Sequence, residues 1–498
     1  METSVKTGRI NYKTIETDSE NKQKDVQHKR TGYPQINTSE WITDNTIIAV
    51  ISNLQHNKAP GPDEITGKML KHLPLKVISF VRNLYSSITK LSYFPRRWCQ
   101  SRAIFIPKNN VTNKNEPKAF RPICLSNILF KIYEKLIQNY LELIQIYPQK
   151  LSNRQHGFRP NYSTLTALSS LIDYIETGFD HKQHTVAVFL DIHGAFDNIN
   201  PERALNILDT WGTPKQITNT LRNYYDKREI VTNISPTQKQ LKFYPTKGTA
   251  QGNVLSPMFW NCIVNKVGDI MDNFQIGGCI FADDIALTAR GNDLNQTHAI
   301  IQQAINQIST WASEEGLRFN VSKSYTMAFN SRGDNIYIPD IKINNQNIKQ
   351  NTRVKYLGVL LDEGLKWYDH LNQVFDRSKK EMMQINKALS KITGPSPKLT
   401  HWLYTGVIRP KITYAAHVWC GKISKYKLEK KSRQIQHWAL TKLGPIREHT
   451  PTAGLEIITL TVPLHIFLQE VSLKTIYNFK NINFKLIGAH ASKGHLSR

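Results

Sequence analysis

The sequence predicts an α+β fold, and three observations carry that prediction. Thr185–Asp191 reads TVAVFLD, a β-rich apolar run ending in an acid, the pattern of a strand covered on both faces. Gly278–Leu287 reads GCIFADDIAL: strand, tight acidic turn, strand, a hairpin with two carboxylates at its tip. Around them, LSNILFKIYEKLIQNYLELI and DHLNQVFDRSKKEMMQINKALSKI space their apolar residues near a 3.6 period, as amphipathic helices do.

The remaining elements follow in order. Residues 1–37 are polar and mixed in charge, which predicts a disordered leader. Order is expected from Thr38, where SEWITDNTIIAVISNLQ forms an amphipathic helix with Thr38 or Ser39 near its N-cap. Lys58–Asp63 (KAPGPD) is a rigid turn, since two prolines fix φ and the glycine permits the reversal. Asp63 can cap the next helix, ITGKMLKHL, so residues 38–87 read as a helical N-terminal extension. Arg102–Lys108 (RAIFIPK) is a short strand ending in a basic residue. After a polar loop come FRPI (Phe120–Ile123), the first of the two helices above, QHGFR (Gln155–Arg159) and a helix start at Ser163-Thr164. Lys247–Pro257 (KGTAQGNVLSP) is a Gly-containing loop that leads into an apolar helix, MFWNCIVNKV.

At 498 residues the chain has room for about three domains or lobes. Its 40% hydrophobic content is enough to bury a core. Lys and Arg number 65 against 39 Asp and Glu, a net of +26, which points to a polyanionic partner, nucleic acid before membrane. No apolar run approaches roughly 18 residues, which excludes a membrane-spanning helix. The opening 30 residues lack the apolar core of a secretory signal. Five widely spaced cysteines, never as CxxC, argue against a disulfide framework and against a Cys-rich zinc site. Residues 363–498 hold 22 Lys and Arg against 8 Asp and Glu, a net of +14. A solvated helix face explains any one basic run; this surplus favours a surface that tracks phosphates.

The acids carry the chemistry. Asp191 at a strand end and Asp283-Asp284 at a hairpin tip make a cluster of like charges, which is costly unless cations compensate it. Such a cluster suits hard divalent cations, Mg²⁺ first. Two such ions can activate a hydroxyl and stabilise leaving pyrophosphate, the apparatus of nucleotidyl transfer. An isolated Ala-Asp-Asp turn is usually only a solvated turn. The inference rests on strand acid, Gln-Gly loop and Asp-Asp hairpin standing in that order in one basic chain.

Here the sequence resembles the reverse transcriptase of non-LTR (LINE-type, jockey-like) retrotransposons. The matching segments are NKAPGPDEI, FRPICLSN, QHGFR, AVFLDIHGAFDNI, KGTAQGNVLSP, CIFADDIAL, GLRFNVSKS and VKYLGVLLD, between Asn57 and Asp362, and the resemblance covers roughly 40–480. The resemblance implies a right-hand polymerase, with fingers and an antiparallel palm sheet in 88–362 and a basic helical thumb with a connecting segment in 363–498. By position, Asp191, Asp283 and Asp284 would bind two Mg²⁺ ions, with Ile192 lending its backbone carbonyl. Phe196 would pack under the incoming sugar and exclude a 2′-hydroxyl. Gln251 would contact the nucleotide, and Gly252 would allow close backbone approach. Lys108 and Arg121 would hold the triphosphate. Lys323 would protonate the leaving pyrophosphate, and Tyr356, Leu357 and Gly358 would grip the primer. Asp197, beyond the strand end, reads as a cap or turn residue.

The implied activity is RNA-directed DNA polymerisation, with an RNA template, a DNA primer or target and deoxynucleoside triphosphates. The segment Thr249-Ala250 stands where many relatives carry Cys-Pro or Thr-Pro. Endonuclease and RNase H domains and a zinc knuckle are expected to be missing, as in a polymerase core cut from a longer polyprotein. A retrotransposon protein is expected in the nucleus, although no block of five or more Lys and Arg marks it. Nothing in the sequence speaks to self-association. Two other readings compete. An inactive, basic nucleic-acid-binding remnant predicts drift at the acidic positions, yet all three acids remain. A group II intron-type maturase needs a maturation domain after the thumb, and no such segment is visible.

Overall fold

Apolar runs of four to eight residues, set between amphipathic helices, fold into two main sheets. The computed structural model describes residues 36–108, 116, 119–232, 240–390, 396–443 and 446–481, so most of the expected leader lies outside the described residues. In chain order the strands are β1 (Gln100–Pro107), β2 (Phe120–Ser126), β3 (His184–Asp191), β4 (Glu229–Thr232), β5 (Leu241–Phe243), β6 (Gly277–Phe281), β7 (Asp284–Gly291) and β8 (Tyr325–Phe329). Five short strands follow: β9 (Lys342–Ile343), β10 (Gln346–Asn347), β11 (Lys349–Gln350), β12 (Arg353–Tyr356) and β13 (Val359–Asp362).

The fingers sheet has the order β2-β1-β4-β5 and the palm sheet the order β11-β8-β3-β7-β6. β3 is the centre of the palm, antiparallel to β7 on one side and to β8 on the other. Its apolar run is continuous because both of its faces are covered: Thr185–Leu190 are all buried. Ala187 and Phe189 share one face with Ala286, Met327 and Phe329, packed against Leu168, Leu171 and Ile175 of the helix Thr164–Asp180. By the two-residue alternation of a strand, Val186, Val188 and Leu190 turn to the opposite face.

The thumb does not form a core of its own. The cluster beneath the palm continues through Val354, Tyr356, Val359 and Leu361 into Trp367, Leu371 and Phe375, and on to Leu468. The basic helix runs Tyr368–Ser390, with Leu371, Phe375 and Met382 buried while Arg377, Lys380 and Lys387 are exposed. All five cysteines are buried and unpaired, as free core thiols. Among the described residues no helix is long and apolar enough to cross a membrane.

The N-terminal extension corrects two expectations. Thr38–Glu40 is a separate 3₁₀ turn, and the helix begins at Asp44 with Thr43 as its N-cap. Thr43 Oγ1 accepts from Thr46 N–H at 3.1 Å while Thr46 Oγ1 accepts from Thr43 N–H at 3.0 Å. This reciprocal box satisfies two backbone donors at once, which a single cap at Thr38 or Ser39 could not. Thr43→Ala is expected to cost about 1 kcal/mol, read as a lower urea midpoint. Likewise Asp63 caps no helix: it accepts from Ile65 N–H at 3.2 Å within the turn, and Thr66 caps Gly67–Leu70. The turn has a further task. A Cβ on Gly61 would lie 2.7 Å from Asn127 N, so the glycine lets the turn dock on the residue that starts the helix Ile128–Leu143.

Candidate active site

Register puts the acids side by side. Asp191, the last residue of β3, stands directly opposite Asp284, the first residue of β7. Asp284 also faces Phe281 across the β6–β7 hairpin, leaving Ala282-Asp283 as a two-residue turn. Asp191, Asp283 and Asp284 therefore gather at one edge of the palm. Like charges on directly opposed residues repel. Burial pushes Asp284 up to about 6, with the charges of Asp283 and Asp191 adding to it. Asp191 is also raised, by burial first; Lys323 pulls it back, Asp283 raises it further, and Asn320 and His193 oppose the rise.

Two neighbouring segments hold these acids in place. Ala282 takes a left-handed φ of 54°, and its carbonyl accepts from Trp260 Nε1–H at 2.8 Å. The QHGFR segment lies alongside: Gln155 bridges in parallel to Ile280, His156 N–H donates to Ile280 O, and Ile280 N–H donates to Arg154 O, both at 2.8 Å. On the other side, Asn320 N–H donates to Asp191 O at 2.8 Å, and Asp191 N–H donates to Ser324 Oγ at 3.3 Å. This brings exposed Lys323, in the turn Val321–Lys323, within electrostatic range of Asp191.

Among the described residues, no three His, Cys, Asp or Glu side chains already close around one point. The donor set nevertheless fits hard cations: burial first, and acidic neighbours second, hold Asp284 and Asp191 up toward protonation, a cost a divalent ion would relieve. Ile192 faces Phe319 in an isolated bridge. The bonds beside it use the Asp191 carbonyl and His193 N–H, so neither engages the Ile192 carbonyl.

The segment that follows Asp191 reaches, through Asp197, a cavity of about 260 Å³ lined among others by Phe105, Pro122, Phe243 and Gln251. Its floor is the KGTAQGNVLSP loop. Gly248 N–H donates to Ile199 O, Thr249 N–H to Phe196 O, and Cys124 N–H to Gln251 O. A Cβ on Gly252, at φ +117°, would come within 2.9 Å of Cys124 O, so only glycine fits here. The Thr249-Ala250 departure leaves the loop able to present Gln251. Asp197 lies in the helical turn Ala195–Asn198, as expected, but it does more than end the strand. Its Oδ1 accepts from Gln251 Nε2 at 3.4 Å. Burial raises its pKa, opposed by that bond and by the charges of Lys108 and His193. Phe196 is half-buried, with its ring 5.9 Å from that of Phe158 and 6.4 Å from that of Trp260.

The other predicted residues separate. Lys108 comes to the cavity through its charge on Asp197. Arg121 is exposed on β2, opposite Ile106, and stands outside the cavity lining, one residue out of step with Pro122 and Cys124. Leu357 and Gly358, both at positive φ, form the tip of the β12–β13 hairpin. Tyr356 does not reach its surface. Its side chain is buried, with its hydroxyl 3.4 Å from Cys279 Sγ and its ring 5.0 Å from that of Phe189, so it anchors the hairpin under the palm. Two residues had no signal in the sequence: Glu134 and Arg228, charged positions in amphipathic surroundings, are buried against the loop that carries Gln251.

The family described as reverse transcriptase (RNA-dependent DNA polymerase) matches residues 106–361, slightly more than half of the chain. Proteins named as RNA-directed DNA polymerases from Drosophila melanogaster mobile elements are similar over most of it. That of the X-element is 28% identical over 379 residues, covering 75% of this chain and 41% of the relative. That of jockey is 23% identical over 443 residues, covering 87% and 47%. The chain thus spans less than half the length of these relatives. A telomerase from Candida tropicalis, solved in complex with a fragment of telomeric RNA, aligns with a TM-score of 0.39 and 11% identity, over 80% of this chain and 68% of that one. With a family match over slightly more than half of its length, the chain belongs to the reverse transcriptase family.

Proposed function

We propose that this chain is the RNA-directed DNA polymerase core of a non-LTR retrotransposon, extending a DNA 3′ end on an RNA template. One observation carries the reading: Asp191 faces Asp284 in register, with Asp283 at the adjoining tip. Asp191, Asp283, Asp284 and the Ile192 carbonyl would hold two Mg²⁺ ions, which when bound activate the primer hydroxyl and stabilise the leaving pyrophosphate. Gln251 would orient the incoming nucleotide, released from Asp197 as the nucleotide enters. Phe196 would sit beneath the sugar. Lys108 would meet the triphosphate, with Arg121 reaching it only from the far side of β2. Lys323, beside Asp191, would hand a proton to the departing pyrophosphate. Leu357 and Gly358 would seat the primer end. The surplus of basic residues in the thumb would track the duplex by its phosphates.

The test is primer extension with purified chain, an RNA template, an annealed DNA primer, Mg²⁺ and the four deoxynucleoside triphosphates. Template-directed extension that stops with EDTA supports the reading. A folded protein that binds the primer–template and incorporates nothing rejects it in favour of an inactive binding remnant.

Proton competition gives a second expectation. With Asp284 held near 6, a proton occupies the carboxyl below that pH and must leave before a cation binds. The Mg²⁺ concentration for half-maximal extension should therefore be flat above pH 7 and rise about tenfold per unit once pH falls well below 6. A flat titration from pH 5 to 8 would exclude Asp284 as a ligand.

A further inference from the structure

We propose that Arg228 and Glu134 are positioning residues for the incoming nucleotide: buried ionisable side chains that clamp the Pro245–Leu255 loop by its backbone from both ends and so fix where Gln251 stands. The proposal rests on the polymerase reading above.

At the loop's entry stands Arg228, only 3% exposed. Its guanidinium donates to three backbone acceptors within four residues, Gly248 O at 2.8 Å, Lys247 O at 3.1 Å and Pro245 O at 3.4 Å. Among the described residues no carboxylate lies within salt-bridge distance of it. A buried cation without a counter-ion is unfavourable unless every donor finds an acceptor. Here the two terminal nitrogens find their acceptors in the peptide carbonyls of one loop, while Nε is buried without a partner. The planar fork holds those two nitrogens apart, so they span Pro245 to Gly248, which one ammonium nitrogen does not do.

At the loop's exit stands Glu134, 1% exposed, on the helix Ile128–Leu143. Its Oε2 accepts from Val254 N–H at 3.0 Å and its Oε1 from Leu255 N–H at 3.5 Å. These are the leading amides of the helix Ser256–Asn273, whose N-cap is Leu255. Burial pushes Glu134 up to about 8, opposed by those two amides and by the charge of Lys131, so near neutral pH it holds them largely as a protonated carboxyl.

Between the two grips lie Gly248 and Gly252, at φ +80° and +117°, one on each side of Gln251. Glycine leaves a backbone free to swing. The clamp removes that freedom. A cross-brace completes it: Asn253 Oδ1 accepts from Ser126 Oγ–H at 2.5 Å, and Asn253 Nδ2 donates to Tyr224 OH at 3.3 Å. Neither Arg228 nor Glu134 need touch the nucleotide. Each acts through the loop, with the arginine drawing on carbonyls and the glutamate on amides.

The test compares the parent with Arg228→Lys, which keeps the charge and loses the fork, and Glu134→Gln, which keeps the shape and sets an amide donor against backbone N–H groups. Single-nucleotide incorporation on a primed RNA template should show KM for the nucleotide raised about tenfold in each variant, with primer–template affinity and burst amplitude unchanged. Lower burst amplitude at an unchanged KM would mean the residues only stabilise the fold, and overturns the proposal. If either variant does not fold, Arg228→Gln or Glu134→Asp takes its place with the same two outcomes. If the parent itself incorporates nothing, the polymerase reading has failed, and amide hydrogen exchange over 247–255 decides the clamp alone. Exchange at least about tenfold faster in the variants than in the parent upholds it, and equal exchange rejects it.

Discussion

Replacing Asp283 and Asp284 together with alanine is expected to abolish template-directed extension, by a factor on the order of 10³ or more, while primer–template binding persists. The same change should make the metal-free protein more stable. Asp284 is raised by burial and by its two acidic neighbours, and Asp191 feels Asp283 in turn. Removing two of three mutually repelling carboxylates relieves that repulsion. A gain of about 1 kcal/mol is the usual size for relief of a strained functional site. Thermal melts in EDTA should therefore place the double variant above the parent, and the order should narrow or reverse as Mg²⁺ is added. The pairing of lost activity with gained stability separates a functional acidic cluster from an ordinary turn. A double variant that is both inactive and less stable in EDTA would point to a structural turn.

Gly157→Ala should disable the enzyme almost as thoroughly, although Gly157 is not expected to meet any substrate. Its added Cβ would lie 2.3 Å from Ala282 N and 3.1 Å from the Phe281 carbonyl carbon, both backbone atoms of the hairpin that carries Asp283 and Asp284. Gly157 cannot simply retreat. Its carbonyl accepts from Asn261 Nδ2 at 3.0 Å, its N–H donates to Gln155 Oε1 at 3.1 Å, and its neighbours are bonded to Ile280. The hairpin tip must move, and a displacement of about 1 Å at a reacting centre costs about a hundredfold in rate. Overpacking should also lower stability, by about 2 kcal/mol. Extension assays on the folded fraction separate the two effects. Parental activity per folded molecule would show that the tip can yield without moving its carboxylates.

These two expectations differ in how far the sequence foretold them. The acids were legible because their strands are: TVAVFLD and GCIFADDIAL are apolar runs whose ends are marked by charge, and register follows from the turn between β6 and β7. The fold class followed from the same runs. QHGFR was legible only as a motif, because its purpose is a non-local contact with Ala282 that no local pattern encodes. Asp197 shows the same limit. Its place in a helical turn could be read from its neighbours, but its bond to Gln251 spans 54 positions. Thr43 was missed because the box that caps its helix uses a second threonine in place of the usual glutamate. Glu134 and Arg228 were invisible for a related reason: a charged residue within an amphipathic pattern looks solvated until the fold buries it.

The hydrophobic cluster that runs unbroken from the palm into the thumb has a mechanical meaning. Tyr356 sits beneath Asp284's strand pair with its hydroxyl on Cys279, and the tip of its hairpin is tied back through Leu357 O to Tyr414 OH at 2.9 Å, which also reaches Thr164. The hairpin tip at Leu357 and Gly358, the acidic hairpin and the helix Tyr368–Ser390 are thus tied to one continuous core. On the proposed polymerase reading, this shared core would hold still while the strand advances past it by one nucleotide per addition. The step length would then be set by the spacing of the nucleic acid, with the protein as the fixed gauge against which that spacing is measured.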